Sequence, residues 1–189
     1  MKFDTTYGLP LFETERLLLR PIKDSDALSI FQYASDEEVT KYNLFDVHRS
    51  IDDTIKFIEL MKTKYKQKNT LDYAIILKET NETIGTGGFF DLDKVPVSVE
   101  IGYIISKTYW GKGIVKEAME VLIKYVFEVL DVHRVEGYHF AENVNSGKVQ
   151  RKLGMTYEGE QKDKLLVRGE YRTLKLYGLI NPKHQINAL

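Results

Sequence analysis

The sequence predicts a mixed α/β fold of the α+β kind: a central, mostly antiparallel sheet of about seven strands flanked by about four helices. Two observations carry this. The elements read β-α-α-β-β-β-α-β-α-β-β, with antiparallel hairpins in front, a single β-α-β crossover in the middle and a closing hairpin. A doubly wound parallel sheet would instead alternate strand and helix throughout. The chain is 189 residues long, 43% hydrophobic, and has no repeat, low-complexity tract or Pro/Gly-rich linker, which suits one domain over 1–189 with a real core.

Each element has its own signal. "ERLLLRP" (15–21) is a strand stopped by Pro21, and Asp24 or Ser25 caps a helix to about Ala34 with Ala27, Leu28, Phe31 and Ala34 as its apolar stripe. "DEEVTKY" adds a short turn of helix. Ser50 opens a second helix with Ile51, Ile55, Ile58, Met61 and Tyr65 on one face. Strands follow at 72–78 and 83–92, flanking Asn81 as a hairpin signal. In the strand 97–106, Val97, Val99, Ile101, Tyr103 and Ile105 share one face, and Ser98, Glu100, Gly102 and Ile104 the other. A helix over 112–130 turns Ile114, Val115, Ala118, Leu122, Tyr125 and Val129 inward. A strand (133–141), a helix from Asn143 to Leu153 ended by Gly154, and a hairpin turning at Arg168-Gly169 complete the chain.

Composition narrows the chemistry. A net charge of −1 argues against whole-protein attraction to nucleic acid or membrane. Residues 101–189 carry 14 Lys/Arg against 10 Asp/Glu, whereas residues 1–100 carry 13 against 18, so an anionic ligand suits the C-terminal half better. The absence of cysteine removes disulfides, thiolate metal sites and a cysteine acyl-enzyme. No apolar run approaches the roughly 20 residues that cross a bilayer, and the first residues lack a signal-peptide core, so a cytoplasmic location is expected. His133 and His139 are not spaced as a metal pair, and His139 reads as a packed or hydrogen-bonded side chain; no metal is expected.

The stretch "SKTYWGKGIVKEA" places Gly111, Lys112 and Gly113 between a strand and a helix. A helix N-terminus offers unpaired N–H groups and about half a unit of positive charge. Glycines let a phosphate approach that backbone, and Lys112 and Lys116 add charge nearby. The alternative is a tight strand–helix turn and nothing more. The string is neither G-x-x-x-x-G-K-[ST] nor G-x-G-x-x-G, so it matches neither the P-loop nor the dinucleotide fingerprint.

Taken in order, "ETERLLLRP", "EIGYIIS", "YWGKGIVKEA", "HRVEGYHFAENVNSGKVQRKLGMTYEGE" and "RGEYRTLKLYGL" resemble the GNAT superfamily of acyl-CoA N-acetyltransferases, and within it the RimJ/RimL ribosomal-protein type. The resemblance covers nearly the whole chain. It implies a GNAT-like sheet, acetyl-CoA as co-substrate, and direct attack of an amine on the thioester. The family loop Q/R-x-x-G-x-G/A falls on Trp110, Gly113 and Val115, where Val115 replaces a small residue and is expected to crowd the site slightly. The backbone of Gly111, Lys112, Gly113, Ile114, Val115 and Lys116 would then hold the diphosphate, and that of Ile104, Ile105 and Ser106 the pantetheine arm.

By the same resemblance Glu100 is the candidate base, or a carboxylate that only orients substrate. Asn143 contacts the pantetheine arm besides being a good helix cap, and Ser146 lies near the coenzyme A sulfur, where either its hydroxyl or water serves the leaving thiolate. Many relatives place a tyrosine acid where this chain has Gln150. Lys148, Arg151 and Lys152 are either solvated or near the 3′-phosphate, and Tyr109 and Trp110 either shield the ligand or pack in the core. The acceptor site maps to 33–53 and 162–171. The acids of the first segment favour a cationic acceptor, unless they serve helix N-termini. The acceptor implied is a protein N-terminal amine or a small amine. A non-catalytic acyl-CoA sensor and an ATP- or NAD-binding protein are the competing readings. No direct nucleic-acid or membrane partner is expected, and the chain would act as a monomer or homodimer.

Overall fold

Alternation along the strands divides the core into two layers. Leu17 and Leu19 are buried on one face with Tyr73, Ile75 and Leu77 of the neighbouring strand, while Ala74 and Ile76 face the other side. The computed structural model describes residues 1–90, 92 and 95–184. Asp91, near the end of the expected strand 83–92, lies outside these residues.

Among the described residues nine strands form one sheet: β1 (Lys2–Phe3), β2 (Pro10–Glu13), β3 (Leu17–Arg20), β4 (Tyr73–Leu77), β5 (Glu82–Phe90), β6 (Ser98–Ile105), β7 (Arg134–Phe140), β8 (Thr156–Val167) and β9 (Glu170–Ile180). Their order is β1-β2-β3-β4-β5-β6-β7-β9-β8. All neighbours are antiparallel except β6 and β7. The class is the expected one. The two strands beyond the expected seven are β1 and β2, which extend the sheet from its N-terminal edge.

Among the described residues five α-helices cover the sheet: α1 (Ala27–Ala34), α2 (Glu37–Thr40), α3 (Ile51–Lys66), α4 (Ile114–Glu128) and α5 (Val144–Lys152). α4 packs on the Leu17/Leu19 face through Ile114, Val115, Ala118, Met119, Leu122 and Val126. α1 and α3 pack on the opposite face through Ile30, Tyr33, Ala34, Ile58, Met61 and Tyr65.

Several expected core positions face solvent. Leu28 is 72% exposed, because the eight-residue α1 turns Ile30, Tyr33 and Ala34 towards the sheet instead. Ile55 is 45% exposed; the buried stripe of α3 runs Thr54, Ile58, Met61, Tyr65. Val129 lies one residue past the end of α4 and Val97 one residue before β6, so neither is held to its element's buried face, and both are exposed.

The first helix is secured by Asp26 rather than by Asp24 or Ser25. Arg20 grips the buried Asp26 carboxylate with two bonds of 2.7 Å, Thr83 donates to it at 2.8 Å, and the Lys23 amide donates at 2.8 Å. Burial pushes the Asp26 pKa up, but these donors and the Arg20 charge outweigh it and leave the carboxyl below its ordinary value. One carboxylate thus joins the end of β3, the start of α1 and β5. Arg20→Met is expected to cost about 3 kcal/mol by stranding a buried charge, read as a lower denaturant midpoint at unchanged slope. The contribution of the ionised Asp26 is complete above the unfolded value of 3.8 and is lost as the pH falls through the lower folded value, so the stabilities should converge in acid.

Candidate active site

The parallel pairing of β6 with β7 is short. Ser98, Val99 and Glu100 pair with Arg134, Val135 and Glu136. Beyond them, among the described residues, Ile101–Ile105 pairs with β5 alone and Gly137–Phe140 with β9 alone. The sheet therefore opens as a wedge whose closed end is Glu100 and whose mouth is the turn after Ile105. Gly137 and Gly147 allow α5 to sit close against β7 at this opening. A Cβ on Gly147 would lie 2.5 Å from the His139 ring, and one on Gly137 would lie 2.9 Å from both Ile101 and Gln150.

Ladder geometry decides which backbone groups line the wedge. The Ser106 N–H donates to the Ile84 carbonyl at 2.8 Å. Antiparallel pairs alternate between bonded and non-bonded, so in this register Ile104 and Gly102 also turn their backbone groups to β5. Tyr103 and Ile105 turn theirs to the opening. The Ile105 carbonyl accepts the Trp110 indole N–H at 3.0 Å, which leaves its amide facing the wedge. Of the expected trio Ile104, Ile105 and Ser106, only Ile105 has this orientation; Tyr103 is the residue the sequence reading missed.

At the mouth, a 3₁₀ turn at Lys107–Tyr109 leads into Trp110–Gly113. Gly111 and Gly113 have φ of +74° and +75°, a left-handed conformation that side chains resist. All four residues from Trp110 to Gly113 are exposed, while Ile114 and Val115 turn into the core. The expected crowding by Val115 is thereby corrected: its side chain is inside. Lys112 extends over the Tyr109 ring, and Lys116 pairs with Glu120 at 2.6 Å. Trp110 is 39% exposed and lies outside the core, whereas Tyr109 packs against it.

Asn143 and Ser146 are brought together as their spacing suggests. The Asn143 side chain accepts from the Ser146 amide at 3.2 Å and donates to its hydroxyl at 3.1 Å. Across the wedge, the Tyr103 hydroxyl donates to the Ser146 carbonyl at 3.2 Å, and burial holds that phenol's pKa above its ordinary value. Tyr103 thus couples β6 to the first turn of α5. Gln150 is buried and donates to the Tyr138 carbonyl at 3.2 Å, facing β7. His139 engages the Phe140 carbonyl at 2.7 Å, and burial lowers its pKa. Arg151 is tied to the Tyr177 hydroxyl at 2.7 Å, while Lys148 and Lys152 are exposed.

The two expected acceptor segments meet at Arg168, on the tip of the β8–β9 hairpin. Its guanidinium pairs with Asp46 at 3.0 Å and donates to the carbonyls of Lys41 and Asn43, each at 3.3 Å, and of Phe45. A cavity of about 330 Å³ lies beside it, lined by Leu44, Asp46 and 165–168. A second, of about 550 Å³, lies between α1, α2 and the 106–109 turn, with Tyr33 and Asp36 in its wall. The acids of segment 33–53 are largely engaged. Asp36 accepts from the Glu38 amide and Asp53 from the Arg49 and Ser50 amides. Glu37 pairs with Arg49, and Glu38 with Lys107.

Residues 16–156 match the family model described as an acetyltransferase (GNAT) domain. The chain belongs to the GNAT acetyltransferase family. It is 32% identical over 92% of its length to the uncharacterised N-acetyltransferase YoaA of Bacillus subtilis (strain 168), of which it covers 98%. It is 25% identical to the ribosomal protein uS5-alanine N-acetyltransferase of Escherichia coli (strain K12), covering 89% of this chain and 90% of that one. A GNAT-family acetyltransferase from Bacillus anthracis superposes with a TM-score of 0.81 at 28% identity, covering 91% of this chain and 99% of its own. This GNAT protein is an N-acetyltransferase, which removes the non-catalytic reading.

The Arg168 contacts should act locally. Arg168→Ala is expected to cost about 1 kcal/mol or less, as exposed ion pairs do, yet to speed amide hydrogen exchange at 41–46 severalfold. Unchanged exchange there would show that the hairpin does not hold this loop.

Proposed function

We propose that the enzyme transfers the acetyl group of acetyl-CoA to the α-amine of a protein N-terminus by direct attack. The observation that carries this is the wedge. An exposed loop with left-handed glycines at a helix N-terminus stands at its mouth, and a carboxylate stands at its closed end. From Glu100 to Ile105 is five residues, roughly 16 Å along the strand. A ligand with phosphates at one end and its reacting carbonyl at the other therefore needs a long, narrow linker, which coenzyme A has. The linker finds outward-facing backbone of Tyr103 and Ile105 on the strand edge, while the amides of Gly111 to Lys116 receive the diphosphate.

A peptide α-amine has a pKa of about 8, so part of it is already free near neutral pH. Glu100 accepts the remaining proton, directly or through water, as nitrogen bonds to the acetyl carbon. An outward amide of β6 polarises the thioester oxygen. As the carbon–sulfur bond breaks, the Ser146 hydroxyl hydrogen-bonds the departing sulfur, whose conjugate thiol has a pKa of about 8.5. Gln150 takes no part, since its amide faces β7.

The charge pattern supports a protein N-terminus over a small polycation. Relatives at 25% identity divide by name between a ribosomal-protein alanine and spermidine. The acids of segment 33–53 that would attract a polycation are largely committed to helix caps and ion pairs.

Thiol release from acetyl-CoA tests the reading against Ala- and Ser-starting peptides, polyamines and aminoglycosides. Release is expected with the peptides; release with polyamines alone would overturn the acceptor assignment. Glu100→Gln is expected to lower kcat by about 100-fold, within the range of general-base catalysis. Ser146→Ala should lower it by roughly 10-fold, the worth of one hydrogen bond at about 1.4 kcal/mol. Both variants should keep the wild-type affinity for acetyl-CoA.

A further inference from the structure

Arg16 lies between β2 and β3, far in sequence from the Gly-Lys-Gly loop, yet it is bound to it. Its Nε donates to Glu117 Oε2 at 2.7 Å, one terminal nitrogen approaches the same oxygen at 2.6 Å, and the other donates to the Lys112 carbonyl at 3.1 Å. Glu117 stands in the first turn of α4 and is itself held from the β2–β3 turn. Its Oε1 accepts from the Arg16 amide at 3.0 Å and from the Thr14 hydroxyl at 2.5 Å. Thr14 also accepts from the Leu17 amide at 3.0 Å, and the Arg16 carbonyl accepts from the Lys78 amide at 2.9 Å. The chain of contacts runs from the sheet, through Glu117 and Arg16, to the middle residue of the loop.

Two needs of the loop meet here. Gly111 and Gly113 permit its shape but do not enforce it, and two glycines leave much backbone freedom to be lost on binding. Fixing the Lys112 carbonyl restricts the residue between them. In addition, Glu117 places a negative charge at a helix N-terminus where an anion is to bind, and Arg16 cancels it at contact distance. Glu117 is 19% exposed and Arg16 42% exposed, so the pair lies at the surface beside the loop.

We propose that Arg16 is a positioning residue for the diphosphate of acetyl-CoA: through Glu117 and the Lys112 carbonyl it pre-forms the 110–113 loop in the unliganded enzyme. The inference rests on the acetyl-CoA reading of that loop. It requires Arg16 to act by holding backbone rather than by offering its charge to the phosphates.

Calorimetric binding of acetyl-CoA to wild type, Arg16→Ala, Arg16→Lys and Glu117→Gln separates these roles. Arg16→Ala is expected to weaken binding about ten-fold, equivalent to about 1.4 kcal/mol, and to speed amide exchange at 110–114 in the unliganded protein. Its kcat at saturating acetyl-CoA should stay within about two-fold of wild type. Arg16→Lys should restore only part of the affinity, since an ammonium lacks the fork that spans Glu117 and the Lys112 carbonyl. Glu117→Gln should weaken binding, because Arg16 loses its anchor; it also serves if Arg16→Ala fails to fold. Full restoration by Arg16→Lys, or tighter binding by Glu117→Gln, would overturn the proposal in favour of a direct charge effect. Equal affinities for wild type and Arg16→Ala would overturn it while leaving the acetyl-CoA reading in place. Wild type that binds no acetyl-CoA would remove that reading and this inference together.

Discussion

The pairing of β6 with β7 stops after three residues, and the organisation of the site follows from that stop. A parallel sheet normally continues its ladder until a strand ends. Here both strands run on, β6 to Ile105 and β7 to Phe140, but each is satisfied by its other neighbour. The edge of β6 that faces the gap carries backbone of Tyr103 and Ile105 that no strand pairs among the described residues. Unpaired backbone in a protein interior is costly, so a gap of this kind is maintained only where something shapes it. Tyr103 and the glycine-bearing start of α5 do so from within, through the Ser146 carbonyl and the contact between Gly147 and His139.

The same opening explains why two distant loops must be held still. At the mouth, the Gly-Lys-Gly turn is bound by a guanidinium from the β2–β3 connection. Elsewhere, the α2–α3 loop is bound by a guanidinium from the β8–β9 hairpin. Both anchors are arginines that join a carboxylate to backbone carbonyls, a task for which a planar fork of donors is suited and a point charge is not. Both connect segments separated by about a hundred residues. Two loops of the fold are thus tied to distant elements by side chains rather than by secondary structure.

Charge is arranged in the same economical way. The N-terminal half is acidic by count, and its acids crowd into 36–53. Asp36 and Asp53 serve helix N-termini, where a carboxylate satisfies exposed amides and complements the dipole. Glu37, Glu38 and Asp46 each meet a base. Composition alone cannot distinguish such internal use from a surface field directed at a ligand, because the two differ only in where the counter-charges lie.

What the sequence determined by itself was whatever depends on near neighbours. Alternation placed Glu100 opposite Val99 and Ile101, glycine spacing marked the turn before α4, and Asn143 with Ser146 announced a cap that the structure contains. The family was legible for the same reason, since its fragments are local and ordered. Only the tertiary structure decided which backbone groups of β6 face the gap, because that depends on the register with β5 and not on the strand's own pattern. It also decided that Leu28 and Ile55 face water, since a helix's apolar stripe does not state which side of it meets the sheet. It alone revealed Arg16, Glu117 and Arg168 as anchors. Each lies among other charged residues in sequence, and each acts on backbone far along the chain, the arginines on carbonyls and Glu117 on an amide, groups that leave no trace in the identity of their residue.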